Sequence, residues 1–308
     1  MSAGMGRAMV LVMALGLAAC TSSALINGLV PDTGHTGPVS LAYGPGTRHR
    51  LDLYQPSGSR KPAPVLVFFY GGSWLRGERA DYRFAAAALA ARGFVVVAPD
   101  YRLYPEVRYP DFLRDCAAAV GWALRQAPRY GGDPRRVYLI GHSAGAYNAA
   151  MVAYDARWLA AEGLSPRAIA GFIGLAGPYN FLPIQVPDVM PVFDWPATSM
   201  DTQPIRHVTA AAPPTLLIVA DPDEVVDPER NSAALAEALR RAGVPVEVKR
   251  YSSLNHYTTI GALAWPLRWL APVLDDITEF VTTDRMPRTD RATPDIALAI
   301  QPRRAGQP

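Results

Sequence analysis

The chain alternates short apolar runs of strand length with segments of helical spacing, and this rhythm constrains its fold more than any other feature. Pro64–Tyr70, Phe94–Ala98, Val137–Ile140, Ile169–Leu175, Thr215–Val219 and Val246–Tyr251 read as strands. Helical patterns lie over Tyr82–Arg92 and Phe112–Gln126, from Ala144 onward, and over Glu229–Ala242. Continuous Val/Ile/Leu/Phe strands are apolar on both faces, so both faces must be covered, which is the situation of a mostly parallel sheet wound with helices. A polar–apolar alternation around Arg50–Tyr54 predicts an edge strand before them. The expectation is an α/β fold with a doubly wound, mostly parallel sheet.

Composition agrees and removes alternatives. Half of the 308 residues are hydrophobic and 29 are aromatic, enough for one large core and too many for a disordered chain. The only cysteines, Cys20 and Cys116, exclude a disulfide-stapled scaffold and a cysteine-rich zinc module. The net charge of +3 comes from scattered arginines with no basic run, so nucleic acid is not an expected partner. Cys116 lies among Ala117, Ala118 and Ala119 in a helical pattern and reads as a buried core thiol.

Four regions break the rhythm. Residues 1–19 hold one charge, Arg7, then an apolar run from Ala8 to Ala19; this is too short for a bilayer span and has the parts of a secretory signal. Residues 20–38 are rich in Thr, Ser, Gly and Pro and read as a spacer, so the folded domain is expected over 39–283. Between Gly177 and Pro214 seven prolines interrupt any periodicity, and a segment that long reads as a lid-like insertion over 177–214. Residues 284–308 turn polar and Arg/Pro-rich and read as a disordered tail.

The chemistry falls where strands end. Gly141-His142-Ser143-Ala144-Gly145 follows the strand Val137–Ile140 and opens a helix. At such a turn the serine Oγ is thrown clear of the sheet, and side chains two residues either side would collide across the bend. Ser143 is therefore the expected nucleophile. A serine hydroxyl needs a base, and the base an orienting acid. Of five histidines, His35 and His49 precede the first core strand, His142 adjoins the nucleophile and His207 sits in the insertion. His256, just after the strand Val246–Tyr251, stands where a doubly wound sheet presents its functional loops. For the acid, Asp221, Asp223, Glu224 and Asp227 all follow the strand Thr215–Val219, and spacing alone does not choose. Oxyanion donors are expected from Ala144 and from the glycines of Tyr70-Gly71-Gly72-Ser73-Trp74, whose backbone can approach a substrate.

These motifs, with Asp100-Tyr101-Arg102-Leu103, Tyr109-Pro110, Asp115 and Tyr130-Gly131-Gly132-Asp133-Pro134, occur in the order that resembles the α/β-hydrolase superfamily over residues 40 to 283. Within its esterase/lipase branch the chain is similar to the bacterial feruloyl/acetyl-esterase-like and kynurenine-formamidase-like group. The resemblance implies the Ser…Asp…His order and an Asp-x-x-Val signature, which puts the triad acid at Asp223, with Asp221 second. It also implies an oxyanion hole from Gly71, Gly72 and Ala144, no cofactor and no metal. Tyr70 stands where the group usually has histidine, so the loop must be braced by different hydrogen bonds, and Tyr179-Asn180 replaces a related Tyr-Asp. Trp74, Tyr101, Tyr147, Tyr179 and Trp195 are the pocket candidates.

The expected activity is a serine esterase on small acyl esters, through an acyl-enzyme. An aryl formamidase or peptidase using the same triad, and a non-catalytic binding lipoprotein with this fold, are the alternatives. Leu17-Ala18-Ala19-Cys20 resembles the lipobox of bacterial lipoproteins, which implies an exported chain tethered to the membrane through lipidated Cys20.

Overall fold

The computed structural model describes residues 24–31, 33–58 and 62–283. The apolar runs assemble into one eight-stranded sheet of order β1-β2-β4-β3-β5-β6-β7-β8. The strands are β1 (His35–Ala42), β2 (Arg50–Pro56), β3 (Ala63–Phe69), β4 (Val95–Pro99), β5 (Gly132–His142), β6 (Ile169–Leu175), β7 (Thr215–Ala220) and β8 (Val246–Tyr251). β3 through β8 pair in parallel, whereas β1 with β2 and β2 with β4 pair antiparallel. Every residue of β3, β4, β6 and β7 is buried, as strands covered on both faces must be. This is the α/β-hydrolase fold.

The crossovers are helical: α1 (Arg83–Ala91) joins β3 to β4, α2 (Asp111–Gln126) joins β4 to β5, and α3 (Ala144–Tyr154) with α4 (Ala156–Ala161) joins β5 to β6. The pattern over Glu229–Ala242 is a π-turn, Glu229–Ala233, continued by α5 (Ala234–Arg241). A short α6 (His256–Gly261) and α7 (Val273–Thr282) follow β8.

The amino-terminal end departs from expectation. β2 is not the edge: β1 lies outside it, and ordered structure starts well before residue 39. The exposed, proline-containing HTGPVSLA stretch has no apolar alternation to announce a strand, and its register slips between Thr36 and Val39. Because β1 covers β2, Asp52 is buried and needs partners, which it finds in Ser40 and in Arg79 Nε at 2.8 Å. The expected signal segment, Cys20 and the tail 284–308 lie outside the described residues. Among the described residues no helix is long and apolar enough to cross a membrane.

Candidate active site

β5 runs into α3 through a bend that needs glycine at 141 and 145. A Cβ on Gly141 would lie 2.3 Å from the Gly145 carbonyl oxygen, and one on Gly145 would lie 2.1 Å from that of Phe69. The backbones therefore touch, and Ser143 is forced to φ 54°, ψ −125°, a region that costs a non-glycine residue about 1–3 kcal/mol. The strained turn lifts Oγ off the sheet, at the amino terminus of α3.

His256 meets it from the loop after β8. Asn255 caps α6 by accepting from the N–H groups of Tyr257 (3.0 Å) and Thr258 (2.9 Å), which fixes where the helix begins and where His256 points. His256 Nδ1 lies 2.9 Å from Asp223 Oδ2, and Nε2 lies 2.9 Å from Ser143 Oγ. The carboxylate can only accept, so Nδ1 carries the proton and Nε2 presents a lone pair to the serine O–H. Burial alone would raise the Asp223 carboxyl; the hydrogen bond and charge of His256, with N–H donors from Val226 and Val225, outweigh it and hold the group below its ordinary range.

The acidic residues left open by spacing separate in space. Asp221 is exposed and bound by Arg250 at 3.0 Å, away from His256. Asp227 accepts from Glu229 N–H (2.9 Å) and Arg230 N–H (3.0 Å), holding the start of the next helical segment. The other histidines also have structural partners. His49 faces Asp115 at 3.1 Å, His207 faces the Asp201 carbonyl at 2.7 Å, and His35 faces the Thr33 carbonyl at 3.3 Å.

His142 has a role that adjacency to the nucleophile did not announce. Its Nε2–H donates to the backbone carbonyl of His256 at 2.9 Å, and the two rings sit 5.0 Å apart. Full burial, with the nearby His256 adding to it, pushes its pKa down to about 3, so it is a neutral strut.

The loop after β3 lies against the nucleophile: a Cβ on Gly71 would be 3.0 Å from Ser143 Cβ. The Gly72 carbonyl accepts from the N–H groups of Leu75 (3.0 Å) and Arg76 (3.2 Å), curling the loop so that Ser73 and Trp74 take positive φ and face the cleft. Of this loop, Ser73 and Trp74 line the cleft, and Gly71 and Gly72 lie behind them. Ser73 is a cleft residue that sequence reasoning missed, because the chain alone does not show which loop residue after Gly71-Gly72 turns toward the cleft. Tyr70, in place of histidine, is braced by aromatic stacking. Its ring lies 4.7 Å from Tyr101 and 5.8 Å from Tyr82, its carbonyl accepts from Tyr101 O–H at 2.8 Å, and Arg48 donates to its oxygen at 2.7 Å.

The cleft over Ser143 measures about 190 Å³ and is mostly apolar, with Trp74, Phe181, Ile184, Val189 and Val226 among its walls. The 177–214 segment contributes one wall, from Pro178 to Val189, and the residues after Asp223 another. Trp74 is the expected pocket residue that reaches it, oriented by Nε1–H donating to Asn148 at 2.9 Å. Tyr147 and Tyr179 do not reach it: both are fully buried, Tyr147 with its O–H on the Thr202 carbonyl at 2.8 Å. Tyr101 is likewise buried behind the oxyanion loop, and Trp195 packs outside the cleft. Phe181 was missed because nothing in an aperiodic, proline-rich segment distinguishes a wall residue from a spacer.

Fold and site together define an α/β-hydrolase whose serine, histidine and aspartate side chains converge at the sheet's carboxyl edge. The sequence model of the BD-FAE family matches residues 51–239, and the chain belongs to that family. It is 30% identical over 240 residues to a probable isoprenylcysteine alpha-carbonyl methylesterase of Arabidopsis thaliana, covering 70% of this chain and 50% of that protein. It is 29% identical over 233 residues to a kynurenine formamidase of Danio rerio, covering 73% and 76%. Among solved structures a bacterial heroin esterase superposes with a TM-score of 0.67 at 25% identity, covering 87% of this chain and 92% of that one. The chain spans about half the length of the first of these relatives.

Proposed function

We propose that this protein is a serine carboxylic ester hydrolase acting on small acyl esters, with Ser143, His256 and Asp223 as its triad. The observation that carries the reading is the pair of 2.9 Å contacts linking Asp223, His256 and Ser143 beneath a cleft. In this mechanism His256 Nε2 takes the Ser143 proton as Oγ attacks the ester carbonyl carbon, and Asp223 stabilises the imidazolium through Nδ1–H. The carbonyl oxygen becomes an oxyanion and accepts from the N–H of Ala144, which opens α3 without an intrahelical acceptor, and from the Gly72–Ser73 turn. Collapse breaks the ester C–O bond, and the alcohol leaves with the proton that His256 returns. Water then attacks the acyl-serine, losing its proton to His256, and the carboxylic acid departs with Ser143 restored. An apolar cleft of about 190 Å³ favours a short acyl or small alcohol group.

A formamidase is the second reading, favoured by the likeness to the Danio rerio kynurenine formamidase. Kinetics on p-nitrophenyl acetate, p-nitrophenyl butyrate, a feruloyl ester and N-formylkynurenine decide between them. The highest kcat/KM is expected on an ester, with Ser143→Ala losing all turnover above background. A highest value on N-formylkynurenine would replace the esterase reading, and retained turnover in Ser143→Ala would displace the nucleophile. We propose further that the chain is exported and held to the cell envelope by lipid on Cys20, a reading supported by Leu17-Ala18-Ala19-Cys20.

A further inference from the structure

The described chain begins in a helical turn over residues 24–28 that is fastened to the hydrolase body. Asn27 is the fastener. Its Nδ2 donates to the carbonyls of Ala80 (2.9 Å) and Asp81 (3.1 Å), and its Oδ1 accepts from Phe84 N–H at 2.9 Å. Beside the turn lies a groove of about 320 Å³, bounded by Ile26 and Leu29, by Phe84 and Ala88 of α1, and by Trp265 and Arg268.

Large apolar side chains are exposed at and near this groove. Trp265 and Leu29 in its lining are 63% and 49% exposed, and Trp269 and Leu25, which adjoin the lining residues Arg268 and Ile26 in the chain, are 79% and 69% exposed. Large exposed apolar side chains gathered at one place mark an interaction surface. Indoles pair an apolar ring with a polar N–H and favour the boundary between water and lipid. Two guanidiniums accompany them: Arg268, whose pKa burial and then the charge of Arg92 hold down, and Arg92, paired with Asp275 at 2.7 Å.

We propose that this face, carrying Leu29, Trp265, Arg268 and Trp269, rests on a phospholipid bilayer, the two indoles at its headgroup boundary. The inference rests on the anchoring reading of Cys20, and its main support is reach. Cys20 precedes Ala24 by four residues, which span at most about 14 Å even fully extended. A doubly or triply acylated cysteine is held at the lipid boundary, and Asn27 holds residue 24 to the body. Ala24, two residues before the groove's Ile26, is thereby kept within about 14 Å of the lipid boundary. Arg92 and Arg268 then face the anionic headgroups that attract such cations.

The test uses the full chain reconstituted into vesicles of phosphatidylethanolamine and phosphatidylglycerol with brominated acyl chains, which quench indoles at the boundary. Wild type is expected to lose the emission of up to two of its six tryptophans. The Trp265→Phe, Trp269→Phe double variant is expected to lose that quenching while retaining vesicle sedimentation and p-nitrophenyl acetate turnover. The mass of the Cys20 peptide separates the failures. Acylated Cys20 without quenching overturns the face and leaves the anchor standing. Emission that is blue-shifted yet unquenched places protein on the groove, either residues 8–19 or a second copy, and also overturns it. Unmodified Cys20 with no sedimentation removes anchor and face together and leaves the esterase reading untouched.

Discussion

His142 provides a quantitative check on the geometry behind the nucleophile. Its ring is fully buried, with Nε2–H on the His256 carbonyl at 2.9 Å, and its pKa is lowered from 6.5 to about 3. The folded protein therefore refuses a proton that the unfolded chain accepts. Because the folded pKa lies below the unfolded one, stability is fully present above about pH 6.5 and drains away as pH falls toward about 3. A shift of that size corresponds to about 5 kcal/mol between the two limits. At pH 5 the unfolded histidine is about 1.5 units below its pKa, so the loss relative to pH 8 is about 2 kcal/mol. Urea unfolding followed by tryptophan emission, run at pH 8 and pH 5, measures it. In His142→Gln, which can still donate to the His256 carbonyl but cannot titrate, the drop between the two pH values should shrink by about 2 kcal/mol. Comparing drops, rather than absolute stabilities, cancels every other group that titrates equally in both proteins. An unchanged drop in the variant would refute a neutral, buried His142.

The acid of the triad is tested by two substitutions. Asp223→Asn removes the carboxylate charge facing His256 Nδ1 and lets an amide N–H favour the wrong imidazole tautomer, so it is expected to lower kcat on p-nitrophenyl acetate about 10⁴-fold, whereas Asp221→Asn breaks only an exposed pair with Arg250 and should change it less than about twofold. Equal effects would remove the assignment of Asp223. In the oxyanion loop, Gly72 has φ 128° and a Cβ there would sit 2.1 Å from the Arg76 carbonyl oxygen. Gly72→Ala is expected to cost about 1–3 kcal/mol in thermal unfolding and to depress kcat by more than KM changes. Wild-type stability and turnover in that variant would show that the loop is not held as described.

Much of this arrangement is written in local sequence, and the exceptions share a cause. The strand Ile169–Leu175 occurs where its apolar run places it, because a strand buried on both faces must be apolar throughout, whereas Val246–Tyr251, at the sheet's other edge and only partly buried, carries charged residues among its valines. The bend at Ser143 is legible because backbone contact demands glycine at 141 and 145. β1 escapes because its exposed residues make no pattern, and its existence depends on β2, a partner reached through a register slip. Tyr147 and Tyr179 were pocket candidates by residue type, but a tyrosine's place in core or cleft is decided by packing from distant segments. The same holds for Phe181 and Ser73, whose exposure to the cleft follows from the path of aperiodic loops. Asp223 and Asp221 are two residues apart, and only the fold puts one 2.9 Å from His256 and the other on Arg250.

The central claim is that Ser143 is a nucleophile activated by His256. Labelling the full chain with a fluorophosphonate and locating the adduct by peptide mass tests it most directly, since the reagent phosphonylates an activated serine and spares an ordinary one. A single adduct on Ser143 is predicted, absent in Ser143→Ala and strongly slowed in His256→Ala. Wild type that stays unlabelled where a known serine esterase reacts, or that carries the adduct on another residue, would contradict the account.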